Sequence, residues 1–192
     1  MLVKTIIIFS IIIWVYGLSV LKRAKTSAFY FLFGSMGLFI ILILLSKPYG
    51  VWVFSTVMTW GVGLIGKITG LFSAMYTSHI IQVVTNHQTS ILLVDYECSG
   101  IIETTAFWSM IAFFPVYSNQ KRIILGLIGM LWIFLANVVR LSIVAIIIYY
   151  FGNGFFYVAH AIIGRLIFYI LAIILYYVVF TKGQLINKIS VI

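Results

Sequence analysis

The stretch SAFYFLFGSMGLFIILILLS, residues 27–46, contains no charged side chain. A helix that rises ~1.5 Å per residue covers about 30 Å over this stretch, which is the thickness of the hydrocarbon core of a bilayer. It therefore predicts a transmembrane helix. Four further apolar runs predict spans of the same kind, and they cover residues 5–21, 100–117, 123–151 and 155–180.

The composition supports the same fold class. The 192 residues are 64% hydrophobic and 8% charged, so the apolar stretches must face lipid. We expect one polytopic domain over residues 1–192: an all-α integral membrane protein with about five transmembrane helices, and between five and seven at the limits. The single cysteine permits neither an internal disulfide nor a zinc-type cysteine cluster, and we expect no cofactor and no metal.

The net charge of +9 does not indicate a nucleic-acid partner, because the basic residues form no stripe. They cluster at the ends of apolar runs, as cytoplasmic anchors do under the positive-inside rule. The clusters are Lys22–Lys25, Lys121–Arg122, Lys182 and Lys188. The partner that this pattern indicates is the lipid bilayer of the cell membrane, and it gives no oligomeric state.

Residues 51–76 are apolar but interrupted by four glycines and by Lys67. They fit one spanning helix, an amphipathic helix at the outer interface, or a re-entrant hairpin. If this segment crossed the membrane once, the inside–outside orientation of every later segment would be inverted. Placing all basic clusters inside requires that this segment does not cross once, so we expect an external interfacial helix or re-entrant segment.

Residues 78–97 contain two β-branched runs around the polar stretch Thr85–Ser90. This pattern predicts a short β-hairpin outside the bilayer, because an open hairpin edge does not persist in lipid. His79 and His87 fall on the hairpin, and we interpret them as solvated loop residues. The domain then divides into an external part, residues 51–97, and the helices of residues 98–180, which carry the candidate catalytic residues discussed next.

Cys98, the only cysteine, lies in Glu97-Cys98-Ser99-Gly100 at the boundary between a polar and an apolar stretch. The N-terminus of the following helix favours a thiolate over a thiol. All three acidic residues, Asp95, Glu97 and Glu103, oppose that effect, so a cation must be brought to the site. The alternative is an inert cysteine that fills a packing gap.

Arg140 supplies a candidate cation, because it lies inside an apolar run. An intramembrane arginine costs at least ~2.5–3.5 kcal/mol on insertion scales and therefore faces a partner or a cavity. Asn137 lies three residues earlier on the same helical face, where it would buttress the guanidinium. Snorkelling of Arg140 to the interface is the alternative.

His160 enters the last apolar run six residues after Gly154, at the outer end of the antiparallel neighbour of the Arg140 helix. Gly164, one turn further, permits close packing of another helix on that face. Arg165 is about 140° around the helix from His160, so the two do not face one site. Arg165 is the competing second cation, and His160 as an interfacial hydrogen-bonding residue is the alternative.

A cysteine, an arginine and a histidine in one external pocket suit acyl transfer. The thiolate attacks a peptide carbonyl, the arginine stabilises negative charge, and the histidine moves the proton to the leaving amine. The alternative function is a non-catalytic membrane scaffold of an envelope polysaccharide or glycosyl-transfer system. A small transporter fits less well, because the polar residues gather near one membrane face.

The chain resembles the exosortase/archaeosortase family, and in particular its short, Gram-positive-type members. The resemblance rests on Glu97-Cys98-Ser99-Gly100-Ile101, on Asn137-x-x-Arg140, and on His160 with Gly164-Arg165. It implies a cysteine peptidase or transpeptidase that recognises a membrane-anchored protein by a C-terminal sorting signal and cleaves it at the outer face of the membrane. The acyl group then passes either to water or to an envelope acceptor.

The resemblance implies Cys98 as the nucleophile, Arg140 as the electrostatic stabiliser and His160 as the acid and base. Some members use an arginine in the third role, so Arg165 stays an alternative to His160. We assign Asn137, Glu97 and Arg165 to substrate binding.

Overall fold

The computed structural model describes residues 2–47, 49–84 and 89–182, with side chains from residue 9 onward. Six α-helices and three strands follow one another in these ranges: α1 Leu2–Arg23, α2 Ser27–Ser46, α3 Tyr49–Thr69, β1 Ser73–Met75, β2 Ile80–Val84, β3 Thr89–Leu93, α4 Ile101–Phe113, α5 Asn119–Phe151 and α6 Gly164–Tyr176. α6 is the middle of a longer helix, Asn153–Lys182, called the last helix below. Its remaining parts include a 3₁₀ turn, Asn153–Phe155, and π-helical segments at Val158–Ile163 and Tyr177–Lys182.

Within the described residues, four helices are long and apolar enough to cross a membrane: α2, α3, α5 and the last helix. The prediction of an all-α membrane protein is therefore confirmed. α4 has only 13 residues, about 20 Å, and is shorter than the span predicted over residues 100–117. It ends at Phe113 because Pro115 follows: a residue before proline avoids the α region, and Phe114 is extended, with φ −66° and ψ 119°.

α4 lies in the middle of the bundle, and glycines on its neighbours permit close packing. A Cβ added at Gly34 of α2 or at Gly129 of α5 would overlap the ring of Phe113 or Phe107 respectively. The indole of Trp132 on α5 donates to the backbone oxygen of Leu171 on the last helix at 2.9 Å. Buried side chains of α4, α5 and the last helix then form one apolar core: Phe107, Ile111, Ile133, Ala136, Phe168, Leu175 and Val179.

α3 is one uninterrupted helix of 21 residues, which excludes the re-entrant hairpin for residues 51–76. Its glycines mark close contacts instead of breaks: a Cβ at Gly61 would lie 2.7 Å from the ring of Phe134 on α5. The second half of α3 packs against the strands. Because its length and composition also suit a crossing, its interfacial placement stays a prediction.

The strands form a three-stranded antiparallel sheet in the order β1-β2-β3. The predicted hairpin is confirmed as β2 and β3, paired from Ile80 opposite Leu93 to Val84 opposite Thr89. β1 was not predicted. Most of the predicted polar turn, including His87, lies outside the described residues, whereas its last two residues, Thr89 and Ser90, already belong to β3.

The sheet covers the C-terminal half of α5. Ile81 and Val83 of β2 are fully buried, as are Val144, Ala145 and Ile148 of α5, and all belong to one apolar core. Cys98 belongs to this core as well. The loop that carries Cys98 therefore lies where the sheet, α4 and α5 meet.

Candidate active site

The loop before α4 is closed by its own hydrogen bonds. The backbone N–H of Cys98 donates to the backbone oxygen and to Oδ1 of Asp95, each at 3.2 Å. The Glu97 N–H donates to the same Oδ1 at 3.1 Å, and Ser99 Oγ donates to the Tyr96 oxygen at 3.1 Å. These bonds hold the thiol in place, and only 5% of Cys98 is exposed.

Gly100 ends the loop in the left-handed conformation, with φ +76°, and precedes the first residue of α4. A Cβ at this position would also lie 3.0 Å from Nδ2 of Asn137. Both the positive φ and the close approach of Asn137 require glycine here. The local backbone conformation and packing therefore explain why the third residue of the Cys-Ser-Gly motif, Gly100, is a glycine.

Asn137 of α5 anchors the backbone of the Cys98 loop. Its Nδ2 donates to the backbone oxygen of Cys98 at 2.7 Å, and the side chain is 1% exposed. The predicted hydrogen bond from Asn137 to the Arg140 guanidinium is not found among the described side chains, where Oδ1 of Asn137 and Nε of Arg140 are buried without a partner. Asn137 thus positions the backbone of Cys98.

His160 reaches the sulfur from the last helix. Its Nε2 lies 3.6 Å from Sγ of Cys98. The ring of Phe156 stacks on the imidazole, with centroids 5.7 Å apart and an interplanar angle of 17°. Among the described residues Nδ1 has no hydrogen-bond partner, so the orientation of the ring comes from Phe156.

The backbone around His160 is π-helical from Val158 to Ile163. Single π-helical turns inside α-helices occur frequently at functional sites, because the extra residue redirects the side chains. The sequence carries no composition signal for this segment.

Arg140 is buried, with 5% of the side chain exposed, and this excludes snorkelling. Its Cζ lies 5.9 Å from the centroid of the Phe168 ring, and a Cβ at Gly164 would lie 3.4 Å from its Cγ. Gly164 therefore lets the last helix approach the arginine stem closely, as the sequence predicted. The positive charge is kept inside the protein near the Cys98 loop.

Burial dominates the electrostatics of the nucleophile. It raises the pKa of the Cys98 thiol to about 11, while Arg140 acts in the opposite direction and Asp95 and Glu97 add to the increase. The expected cation is present and lowers the thiol pKa, but burial of the sulfur outweighs it. With this pKa the sulfur carries its proton at neutral pH.

The other predicted site residues lie further out. Glu97 and Arg165 are exposed, and neither side chain forms a hydrogen bond with Cys98 among the described residues. Glu103 is half-buried in the first turn of α4. Asn137 and His160 thus each contact Cys98, Arg140 is buried close by, and Glu97 and Arg165 lie at the surface.

Two further contacts at this end of the molecule were not predicted. Nζ of Lys47 lies 4.7 Å from the centroid of the Tyr96 ring, next to the Cys98 loop. Nε2 of His79 lies 2.8 Å from Oγ1 of Thr56 on α3, and His79 is half-buried. The interpretation of His79 as a solvated loop residue is therefore wrong, because it joins the loop before β2 to α3.

Comparison with known proteins gives one match. A family model described as transmembrane exosortase matches residues 1–177, which include every element of the site. No curated protein and no solved structure matches the chain.

Proposed function

The chain belongs to the transmembrane exosortase family, and on this premise we propose that it is a membrane-embedded cysteine peptidase and transpeptidase. It cleaves C-terminal sorting signals of exported proteins at the outer face of the membrane. Family membership gives the coarser, transpeptidase-type role in the membrane. The observation that carries the finer proposal is the 3.6 Å contact between Sγ of Cys98 and Nε2 of His160.

In the first step His160 acts as the general base. Nε2 takes the proton from Sγ while the sulfur attacks the carbonyl carbon of the scissile peptide bond. This requires the tautomer with its proton on Nδ1. The carbonyl oxygen becomes an oxyanion, and the buried Arg140 offsets the developing negative charge.

In the second step the tetrahedral intermediate collapses. The C–N bond breaks, the His160 imidazolium returns its proton to the leaving amine, and a thioester forms on Cys98. Water or an amine of an envelope acceptor then attacks the thioester. Its proton passes to Nε2 of His160, and the departing sulfur regains a proton from there.

The raised pKa of the thiol is compatible with this sequence, because the proton has an acceptor within reach of the sulfur. An inert cysteine that fills a packing gap would share the burial. It would have no reason to contact a histidine nitrogen 62 positions away. The contact therefore favours the enzyme over the non-catalytic scaffold.

Two arguments bear on the orientation of the protein in the membrane. The basic clusters at Lys22–Lys25 and Lys121–Arg122 are predicted to lie inside. The sheet has open strand edges that lipid does not satisfy, and it packs at the Cys98 end of α5. Both arguments support an active site that faces outside.

The test is to co-express the protein with an exported substrate that carries a C-terminal sorting signal and to follow its processing. Cys98→Ala and Cys98→Ser should abolish processing and leave the amount of protein in the membrane unchanged. Ser109→Ala is the matched control, because Ser109 Oγ bonds the Ala106 oxygen of its own helix, at 2.7 Å. Normal processing by both Cys98 variants would contradict the proposal and favour the scaffold.

A further inference from the structure

A cavity of about 280 Å³ lies directly behind the Cys98 loop. Its walls come from α3, from the beginning of α4 and from α5, and they include Val57, Met58, Ser99, Gly100, Thr104 and Leu131. We call it the Gly100 cavity. None of the contacts assigned to the reaction above uses it.

The polar groups of the Gly100 cavity are already occupied inside the protein. Two hydroxyl groups line it: Ser99 Oγ donates to the Tyr96 oxygen at 3.1 Å, and Thr104 Oγ1 donates to the Gly100 oxygen at 2.8 Å. The other lining side chains are apolar. A polar guest would therefore lose its hydrogen bonds to water without replacement, whereas an apolar guest would gain from burial.

The cavity adjoins the nucleophile. Ser99 and Gly100 in its wall are the two residues that follow Cys98, and neighbouring Cα atoms are ~3.8 Å apart. A peptide whose carbonyl carbon is held at Sγ therefore has its neighbouring side chains within reach of the cavity. The Gly100 cavity therefore lies next to the position that the scissile bond would occupy.

The cavity also has the size and the opening for one large side chain. An engineered apolar cavity of ~150 Å³ binds benzene, so 280 Å³ accommodates a phenyl or leucyl group. Val57 is 47% and Leu131 58% exposed, so the cavity opens between α3 and α5. A substrate side chain can enter there without unfolding of the loop.

We infer that the Gly100 cavity is the specificity pocket of the enzyme, and that it receives a large apolar side chain of the substrate next to the scissile carbonyl. This inference rests on the proposed function, because it assigns the guest to the substrate of that reaction. It deepens the proposal by naming the side-chain class that the enzyme selects.

The test uses small thiol reagents, since they need no identified substrate. Methyl and benzyl methanethiosulfonate each transfer their thioalkyl group to Sγ of Cys98 and release methanesulfinate, and the thiol proton goes to solvent. We expect the benzyl-to-methyl rate ratio of Cys98 to exceed that of free cysteine at least about tenfold, as for a group bound in an apolar pocket. Val57→Trp should fill the cavity and remove this excess, because it reduces the benzyl rate more than the methyl rate.

Leu64→Trp is the matched control. Leu64 is 39% exposed on the same helix and does not line the cavity, so this variant should keep the wild-type ratio. A wild-type ratio equal to that of free cysteine, or an equal decrease in both variants, would overturn the inference. A larger excess for a dodecyl reagent than for the benzyl reagent would overturn it too, because it would assign the cavity to a lipid chain.

Processing of a sorting-signal substrate by the same variants separates the two proposals. The ring preference without any processing by the wild-type protein would contradict the proposed function alone. Processing that is normal in both tryptophan variants would overturn the specificity pocket and leave the proposed function intact. Loss of processing in Val57→Trp but not in Leu64→Trp supports both.

Discussion

Sγ of Cys98 and Nε2 of His160 lie 3.6 Å apart, although 62 positions of the chain separate the two residues. The loop before α4 supplies the sulfur, and a π-helical turn of the last helix supplies the ring. No other histidine among the described residues shares this position, since His79 bonds Thr56 on α3. The predictions below follow from this contact and from the residues that support it.

Replacement of His160 by alanine should remove the base. We expect substrate processing to fall by about 10²–10⁴-fold, the usual contribution of general acid–base catalysis. His79→Ala is the control and should process normally, because its imidazole bonds Thr56 Oγ1. Processing in His160→Ala within tenfold of the wild type would assign the base to another group.

The alkylation rate of Cys98 should depend on pH in an unusual range. The thiol pKa is raised from its ordinary value of 9.0 to about 11, so the rate of reaction with iodoacetamide should continue to rise up to that pH. Asp95→Asn should shift the profile to lower pH, Glu97→Gln should shift it less, and removal of the charge in Arg140→Met should shift it to higher pH. A plateau of the alkylation rate near pH 9 in the wild type would contradict the raised pKa of the Cys98 thiol.

The same shift predicts how stability changes with pH. Because the folded pKa lies above the ordinary one, the folded state holds the Cys98 proton more tightly than the unfolded state. This contribution is fully present below pH 9 and is lost as the pH rises from 9.0 towards 11. Cys98→Ser should weaken this alkaline loss in thermal unfolding measured across that range, whereas an identical loss in the variant would assign it to other groups.

Asn137→Leu should lower both the stability of the protein and its activity, because it removes the hydrogen bond to the Cys98 backbone. The variant leaves the Cys98 carbonyl buried without its donor, which costs about 1–3 kcal/mol of folding free energy. Because the loop also loses its anchor, kcat of processing should fall more than KM rises. Ser109→Ala, equally buried but bonded within its own helix, should change neither stability nor kcat appreciably, and equal effects of the two variants would argue against a positioning role.

Gly164→Ala should separate the last helix from α5. The new Cβ would lie 2.8 Å from Cγ2 of Val144 and 3.4 Å from Cγ of Arg140, and such overpacking costs about 1–3 kcal/mol. Both thermal stability and processing should therefore decrease. At Gly154 nothing lies within 4 Å of the corresponding position, so Gly154→Ala should be neutral. Equal behaviour of the two alanine variants would show that the helix contact tolerates the methyl group.

Thiol labelling can decide whether α3 crosses the membrane. In the Cys98→Ser background, Lys47→Cys and Ser78→Cys place single cysteines at exposed positions on either side of α3. We expect an impermeant maleimide to label both in intact cells, and to label Lys25→Cys only after permeabilisation. Labelling of only one of the two residues that flank α3 would establish a crossing and contradict the external placement.

The helices were predictable because a long apolar run in a lipid environment has few alternatives. The run over residues 27–46 became α2 with the predicted limits, and the β-branched runs on either side of the predicted polar stretch Thr85–Ser90 became β2 and β3. The strand Ser73–Met75 was not predictable, since three residues carry no periodicity. Its pairing with β2 is a tertiary contact.

The residues of the candidate site could be predicted from the sequence, but the groups that they contact could not. Cys98, Arg140 and His160 stand out as polar residues at the boundaries or inside apolar runs. Asn137 was placed on the correct helix face, but its partner is the Cys98 backbone, because a face gives a direction and not the group that lies there. The thiol pKa depends on burial by three different elements, and a single sequence does not contain that quantity directly.

The π-helical turn Val158–Ile163 determines the directions in which the side chains after it point around the axis of the last helix. Each residue of an α-helix advances the chain by about 100° around its axis, so the widened turn resets the angular position of everything after it. His160 can point at the sulfur while Gly164 still abuts Val144. Deletion of a single residue from this turn would rotate the glycine away from α5 and bring a bulky neighbour against it, even though no side chain of the site had been changed.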